Sequence, residues 1–313
     1  MADQTLSIQL ATPVYDHRAQ HITFYSSALD IYKSFYIFVP ADIAPGQHVP
    51  SLYLLRGHER EWINYHEDDS RGSTNIIDIY EQLRQNGQIG PIILVFPGLS
   101  SNDNHIPSLL TNMHSPELAG NRLGIGSGRF EDYFFHDLIP FVDAVFPTIP
   151  DRVQRGMVGF SLGGAMVMKA AAQRSDLFAT ACSYDGTILY ALNKGRRIRG
   201  TDRILEHPML GPAYGFPRDL DFIADNSPAT LILRGDTTML QQVTWLVGYG
   251  PRQSEPWQAN FYRGEHLLRC LRAHGIENAL PHREFPNGDH TWRSADAFMK
   301  LALPILDRVF RKS

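Results

Sequence analysis

Cysteine is scarce. Cys182 and Cys270 are the two present in 313 residues. One falls in an expected buried strand and the other on the apolar side of an expected helix, which excludes a disulfide framework and a cysteine-based zinc site. Long apolar runs are also lacking. The longest clear one, residues 91–96, has strand length and falls far short of the ~18 residues that span a bilayer. The first ten residues carry neither a basic n-region nor an apolar h-region, so no secretory signal is expected. The default location is cytoplasmic, although a processed secreted chain would look similar. Charge of one sign is missing too: 29 Lys and Arg face 33 Asp and Glu, a net charge of −4. That leaves no basic footprint for a nucleic-acid partner. At 43% hydrophobic and 20% charged residues, disordered, collagen-like and coiled-coil classes are excluded. No repeat of 20–50 residues is visible. A chain of this length buries about 75% of its unfolded surface and needs no staples.

What is present is alternation. Short apolar runs occupy residues 22–29, 34–39, 51–55, 92–96, 156–160, 178–183, 230–233 and 283–285. The first two suggest a hairpin at a sheet edge. The later ones are continuous, as expected of strands buried on both faces of a parallel sheet. Between them, residues 130–146, 162–174, 265–274 and 294–311 show helical spacing of apolar side chains. Gly275 is a normal stop for the third, and Pro304 predicts a kink in the fourth. Strands alternating with helices predict an α/β layered fold. Residues 98–128, rich in Ser, Asn and Gly, and residues 187–227, rich in Arg, Gly and Pro, break the alternation. Both follow strands and therefore start at the carboxyl edge of the sheet, where ligands bind in open α/β folds. They are read as the rims of a substrate cleft, against the plainer reading of tolerated surface insertions.

The strongest chemical signal is Gly159-Phe160-Ser161-Leu162-Gly163-Gly164. The string G-x-S-x-G alone is weak, but here a strand precedes it and a helix follows, with the serine at the joint. That is a nucleophile elbow. A serine hydroxyl needs a base, and His290, in Asn287-Gly288-Asp289-His290-Thr291-Trp292, stands on a loop between the last strand and the last helix. A carboxylate must then orient the imidazole. Asp236 and Asp185 both follow expected strands, and Glu265 at an expected helix start is a weaker third. The order Ser161, Asp236, His290 matches the α/β-hydrolase order, so Asp236 is preferred and Asp185 is the alternative. The oxyanion donors expected are the main-chain N–H groups of Leu162, next to the nucleophile, and of His58, after the strand ending in Leu54-Leu55-Arg56-Gly57.

These pieces resemble the putative esterase family of the α/β-hydrolase superfamily. That family includes S-formylglutathione hydrolases, feruloyl and other carbohydrate esterases, enterochelin-type esterases and mycolyltransferases. The resemblance runs from about residue 35 to 310. It is carried by residues 51–57 with Trp62, by residues 91–98, by Phe130-Glu131-Asp132-Tyr133 leading to Leu138-Ile139-Pro140, by the elbow, by Ala273-His274-Gly275-Ile276, and by residues 287–292. It implies esterase activity with Ser161 as nucleophile, His290 as base and no metal. The chain departs from the family pattern in three places. Arg56 replaces a usual histidine, and Asp289 an often-present glycine. The usual position of the acid falls on Thr238.

Two further clusters have weaker readings. His58, Glu59, His66, Glu67, Asp68 and Asp69 lack metal-ligand spacing and read as a solvated acidic loop. Arg196, Arg197, Arg199 and Arg203 read as a solvated face or as a contact for an anionic substrate group. Trp62, Arg196, Arg197 and Arg199 are the candidate substrate-binding residues.

The expectation is one α/β-hydrolase domain over residues 1–313: a mostly parallel twisted sheet flanked by helices. It would act as a serine esterase on a small or aryl-type ester, through an acyl-enzyme. No cofactor, metal, nucleic acid or membrane span is expected; the partner is a small-molecule ester, and a homo-oligomer is compatible with the sequence. An acyltransferase, a thioester hydrolase and a non-catalytic binding protein on the same fold are the competing readings.

Overall fold

The computed structural model describes residues 7–10, 15–189, 200–252 and 260–312. Its centre is one eight-stranded sheet. The strands are β1 (Ser7–Leu10), β2 (Gln20–Ser26), β3 (Ile31–Phe38), β4 (Ser51–Leu55), β5 (Ile93–Pro97), β6 (Arg155–Phe160), β7 (Thr180–Tyr184) and β8 (Thr244–Gly248). They lie in the order β1-β2-β3-β5-β4-β6-β7-β8. The first three are antiparallel to their neighbours, and β5, β4, β6, β7 and β8 are mutually parallel.

The expected hairpin is β2 and β3, but β1 pairs outside it, so it is not the edge. Two strand expectations fail. Residues 230–233 lie inside a helix, Pro228–Arg234. Ser227-Pro228 opens it, and proline at a first helical position is pre-set for a helix. Residues 283–285 contribute a single bridge, Glu284 to Tyr249. The last parallel strand is instead Thr244–Gly248, a short stretch headed by a polar, half-buried threonine.

Both faces of the sheet are buried, and side-chain alternation divides the core. Tyr53, Leu55 and Met157 face the layer holding Met166, Val167 and Ala170 of the elbow helix Leu162–Gln173. Leu52, Leu54, Val158 and Phe160 face the layer holding Ile76, Tyr80, Trp292, Phe298 and Leu306. That second layer is built from helix Ile76–Gln85, which opens with an Asn75–Asp78 capping box, and from the C-terminal helix Trp292–Arg311. β4 and β6 are covered on both sides, and Ser161 stands directly at the carboxyl end of β6.

Candidate active site

The elbow is enforced by close packing. Ser161 sits at φ +56°, a conformation uncommon for a residue with a side chain. A Cβ on Gly159 would lie 2.2 Å from the Gly163 carbonyl, and one on Gly163 would lie 1.9 Å from the Leu55 carbonyl oxygen. Only glycine allows the helix to start this close to β4 and β6. Ser161 is thereby held at the head of a 12-residue helix, whose first N–H groups have no intrahelical acceptor. Leu162, the expected donor, is the first of these.

His290 reaches Ser161 from the loop before the C-terminal helix. Its Nε2 lies 2.9 Å from Ser161 Oγ, and its ring packs at 4.9 Å from that of Phe160. Tyr184 donates to the Asp289 carbonyl at 3.0 Å and Ser294 Oγ donates to the Asp289 carboxylate at 2.6 Å, which fixes the loop. Thr291 caps the helix that follows.

The carboxylate that meets His290 is Asp185. Its Oδ2 lies 2.6 Å from His290 Nδ1. Asp185 is fully buried at φ +43°, just past the end of β7. Its Oδ1 accepts from the Gly250 and Asn260 N–H groups at 3.1 and 2.8 Å, and Asn260 Nδ2 donates to Oδ2 at 3.2 Å. Four donors converge on this side chain, which turns one carboxylate edge toward the imidazole.

The preferred Asp236 is therefore corrected. It is exposed and caps the helix Thr237–Gln241 by accepting from Met239 N–H at 2.9 Å. It precedes the last parallel strand rather than following it. Glu265 lies within the helix Phe261–Arg272, pairs with Arg283 at 2.9 Å and accepts from Tyr249. Thr238 is helical.

His58, the second expected oxyanion donor, is engaged within its own loop. Its main-chain N–H is already taken, donating to Glu61 Oε1 at 2.7 Å, and Gly57 N–H donates to the same oxygen at 3.0 Å. Trp62 is buried rather than presented to a substrate. Its indole N–H bonds the Leu55 carbonyl at 3.2 Å, and its ring stands edge-on to Trp292. Arg71 ties this loop to the C-terminal helix. It holds Asp296 through two bonds of 2.9 and 2.8 Å and donates to the carbonyls of Glu61, Trp62 and Asn64.

The acidic loop is more buried than a solvated loop would be. Glu59 accepts from Ser34 Oγ at 2.7 Å and lies 3.1 Å from His58 Nδ1. Burial works against its charge, but His58 and Lys33 beside it more than offset this, and its carboxyl sits below the usual range. Asp68 receives the Trp292 N–H at 3.1 Å. Among the described residues no three His, Cys, Asp or Glu side chains are grouped to hold a metal ion, and no helix is long and apolar enough to cross a membrane. Arg203 is exposed and 3.6 Å from Glu206. Arg196, Arg197 and Arg199 lie outside the described residues.

Beside the serine lies an apolar pocket. Leu162 and Thr187 stand at its near side, with Met166, Leu189, Leu210 and Tyr214 around it. Thr187 Oγ1 is 3.4 Å from Ser161 Oγ. Several of these side chains come from segment 187–227, which folds into short helices between 200 and 225 rather than remaining a loop. An arrangement of hydroxyl, imidazole and buried carboxylate in line can move a proton off the hydroxyl while holding the imidazole in one tautomer.

Comparison with known proteins gives the family and the fold. The model of the family described as "Putative esterase" matches residues 26–294. The chain belongs to that family. This esterase also resembles solved structures over nearly its whole length. One is a ferulic acid esterase, 17% identical with a TM-score of 0.66, covering 98% of this chain and 100% of that one. A second is an S-formylglutathione hydrolase from Agrobacterium tumefaciens, 14% identical with a TM-score of 0.63, covering 96% and 98%. A third is a ferulic acid esterase from Anaeromyces mucronatus, 17% identical with a TM-score of 0.61, covering 97% and 94%. At these identities the likeness is one of fold, and the fold is the α/β-hydrolase fold.

Proposed function

We propose that this esterase hydrolyses a small or aryl-type carboxylic ester through an acyl-enzyme on Ser161, within one α/β-hydrolase domain. The observation that carries the reading is the unbroken line from Ser161 Oγ to His290 Nε2 at 2.9 Å and from His290 Nδ1 to Asp185 Oδ2 at 2.6 Å. His290 takes the Ser161 proton as the hydroxyl oxygen attacks the ester carbonyl. Asp185 keeps the remaining N–H on Nδ1 and stabilises the imidazolium that forms. The Leu162 N–H, at the positive end of the elbow helix, stabilises the oxyanion. His290 then returns the proton to the leaving alcohol, and water repeats the sequence to free the acid. The narrow apolar pocket beside Leu162 and Thr187 suits a short or aryl acyl group, and segments 98–128, 187–189 and 200–227 rim the cleft.

The test is a fluorophosphonate probe read by intact mass, together with p-nitrophenyl acetate turnover. Wild type should gain one adduct, and Ser161→Ala should gain none while keeping its thermal midpoint. Turnover by Ser161→Ala within tenfold of wild type would remove Ser161 as nucleophile. Product analysis with added alcohol separates hydrolysis from acyl transfer.

A further inference from the structure

We propose that Glu61 is a gate: its carboxylate occupies the oxyanion position in the resting enzyme and yields its backbone donors to the substrate carbonyl during reaction. The inference rests on Ser161 being the nucleophile. Glu61 Oε1 accepts from Gly57 N–H at 3.0 Å and His58 N–H at 2.7 Å. Two successive amides aimed at one oxygen form a concavity of the kind that binds anions.

Its place is the relevant one. The loop leaves β4 directly beside the elbow, since a Cβ on Gly163 would lie 1.9 Å from the Leu55 oxygen and 3.0 Å from Arg56 Cα. A strand-end loop at this point supplies the second oxyanion donor in this fold. The donors that the tetrahedral intermediate needs are thus held by an anion of the chain itself.

The carboxylate also has somewhere to go. Glu61 is only 3% exposed, so leaving the amides without another partner would strand a buried charge. Arg56 Nε lies 3.3 Å from its other oxygen, and Asn104 Nδ2 is 3.2 Å from Oε1. The Arg56 guanidinium lies 5.5 Å from the centre of the Phe160 ring, which in turn flanks His290. A short swing toward Arg56 keeps the charge paired and opens the amides next to the reacting centre.

A purely structural role predicts the opposite response. If Glu61 only braces the loop, weakening its bonds lowers activity or leaves it unchanged. If it is a gate, the substrate oxygen competes with a charge-assisted bond, which is stronger than a neutral one. Glu61→Gln keeps the shape and replaces the carboxylate with a weaker, neutral acceptor. One oxyanion donor is worth on the order of 10² to 10³ in turnover, so partial release in Glu61→Gln should raise kcat roughly tenfold. KM should change little, because the ground-state carbonyl uses the donors weakly.

The experiment compares full-length wild type, Glu61→Gln and Glu61→Ala for kcat and KM on p-nitrophenyl acetate, fluorophosphonate labelling rate and thermal midpoint. A rise in kcat and labelling rate in Glu61→Gln supports the gate. Labelling at Ser161 with no gain in Glu61→Gln overturns the gate alone. No label at Ser161 in wild type overturns the nucleophile reading and the gate with it. Should the variants fail to fold, the crystal structure of the phosphonylated wild type decides. A phosphonyl oxygen on His58 N–H with Glu61 turned to Arg56 supports the gate, and Glu61 still on both amides overturns it.

Discussion

Replacing Asp185 with asparagine tests the site at its most constrained point. The side chain is fully buried, and both oxygens are in use. Oδ1 faces two backbone N–H groups at 2.8 and 3.1 Å, while Oδ2 faces Asn260 Nδ2 and His290 Nδ1. Asparagine has one acceptor and one two-hydrogen donor. With its nitrogen toward His290, the imidazole must turn its lone pair to that nitrogen and carry its proton on Nε2, where it can no longer accept from Ser161. With its nitrogen on the other side, that group meets two N–H donors. Either way a buried group is left mispaired, at about 1–3 kcal/mol of stability. The wrong tautomer in such an arrangement costs on the order of 10⁴ in turnover, which is about 5.5 kcal/mol of activation free energy. The assay is kcat on p-nitrophenyl acetate at a temperature well below the variant's thermal midpoint. Turnover of the folded variant within tenfold of wild type would refute the assignment of Asp185.

Three further outcomes follow from other parts of the fold. Asp236→Ala removes a helix cap, so it should cost about 1 kcal/mol of stability with kcat unchanged; a 100-fold fall in kcat would return Asp236 to the site. Gly163→Ala forces a Cβ to within 1.9 Å of the Leu55 oxygen, so it should abolish soluble folded protein, and a variant that folds with its midpoint unchanged would contradict the packing described. Burial holds Lys33 and Lys169 at about 8, against an unfolded value of 10.5, with Glu59 and Glu131 respectively working against that burial. Between pH 8 and 10.5 each of these lysines therefore binds more protons in the unfolded chain than in the folded one, and its contribution to stability rises with pH there. Buried Cys182 and Cys270, whose thiols burial pushes up, titrate with the opposite sign, so the measurement is a difference: between urea unfolding at pH 7 and at 9.5, wild type should gain roughly 2 kcal/mol relative to Lys169→Met.

Most of the central sheet was legible because its strands are short, apolar and continuous, and because the elbow glycines have one geometric use. Legibility failed where two signals compete in a few residues. Residues 230–233 are as apolar as a strand, but they are only the middle of a helix whose start, Ser227-Pro228, is the stronger signal. Thr244–Gly248 has polar Thr244 and a tryptophan at its head, and no turn residues mark its start. Helix Ile76–Gln85 has its cap in Asn75 and Asp78, a local signal that the alternation of apolar runs does not carry. Trp62 reads from the sequence as a candidate substrate contact; its burial depends on Trp292, 230 positions further on, and no local signal carries that contact.

Ser161 and His290 were readable because each depends on its own joint between a strand and a helix. The acid depends on which strand comes last, so the misplaced strand misplaced the acid. Asp236 stands before β8, and the residues just past the end of that strand are Tyr249 and Gly250, which carry no carboxylate. The register pairs Tyr184 of β7 with Gly248 of β8, so the two strand ends finish level. Neighbouring strands are only about 4.8 Å apart. A carboxylate leaving the end of β7 at positive φ therefore reaches the same region as one leaving β8. Gly250 N–H donates to Asp185 across that gap. The strand end that lacks the acid thus helps to hold it, and the Asp-Gly pair at 185 and 186, which resembles an ordinary turn, aims the carboxylate at His290.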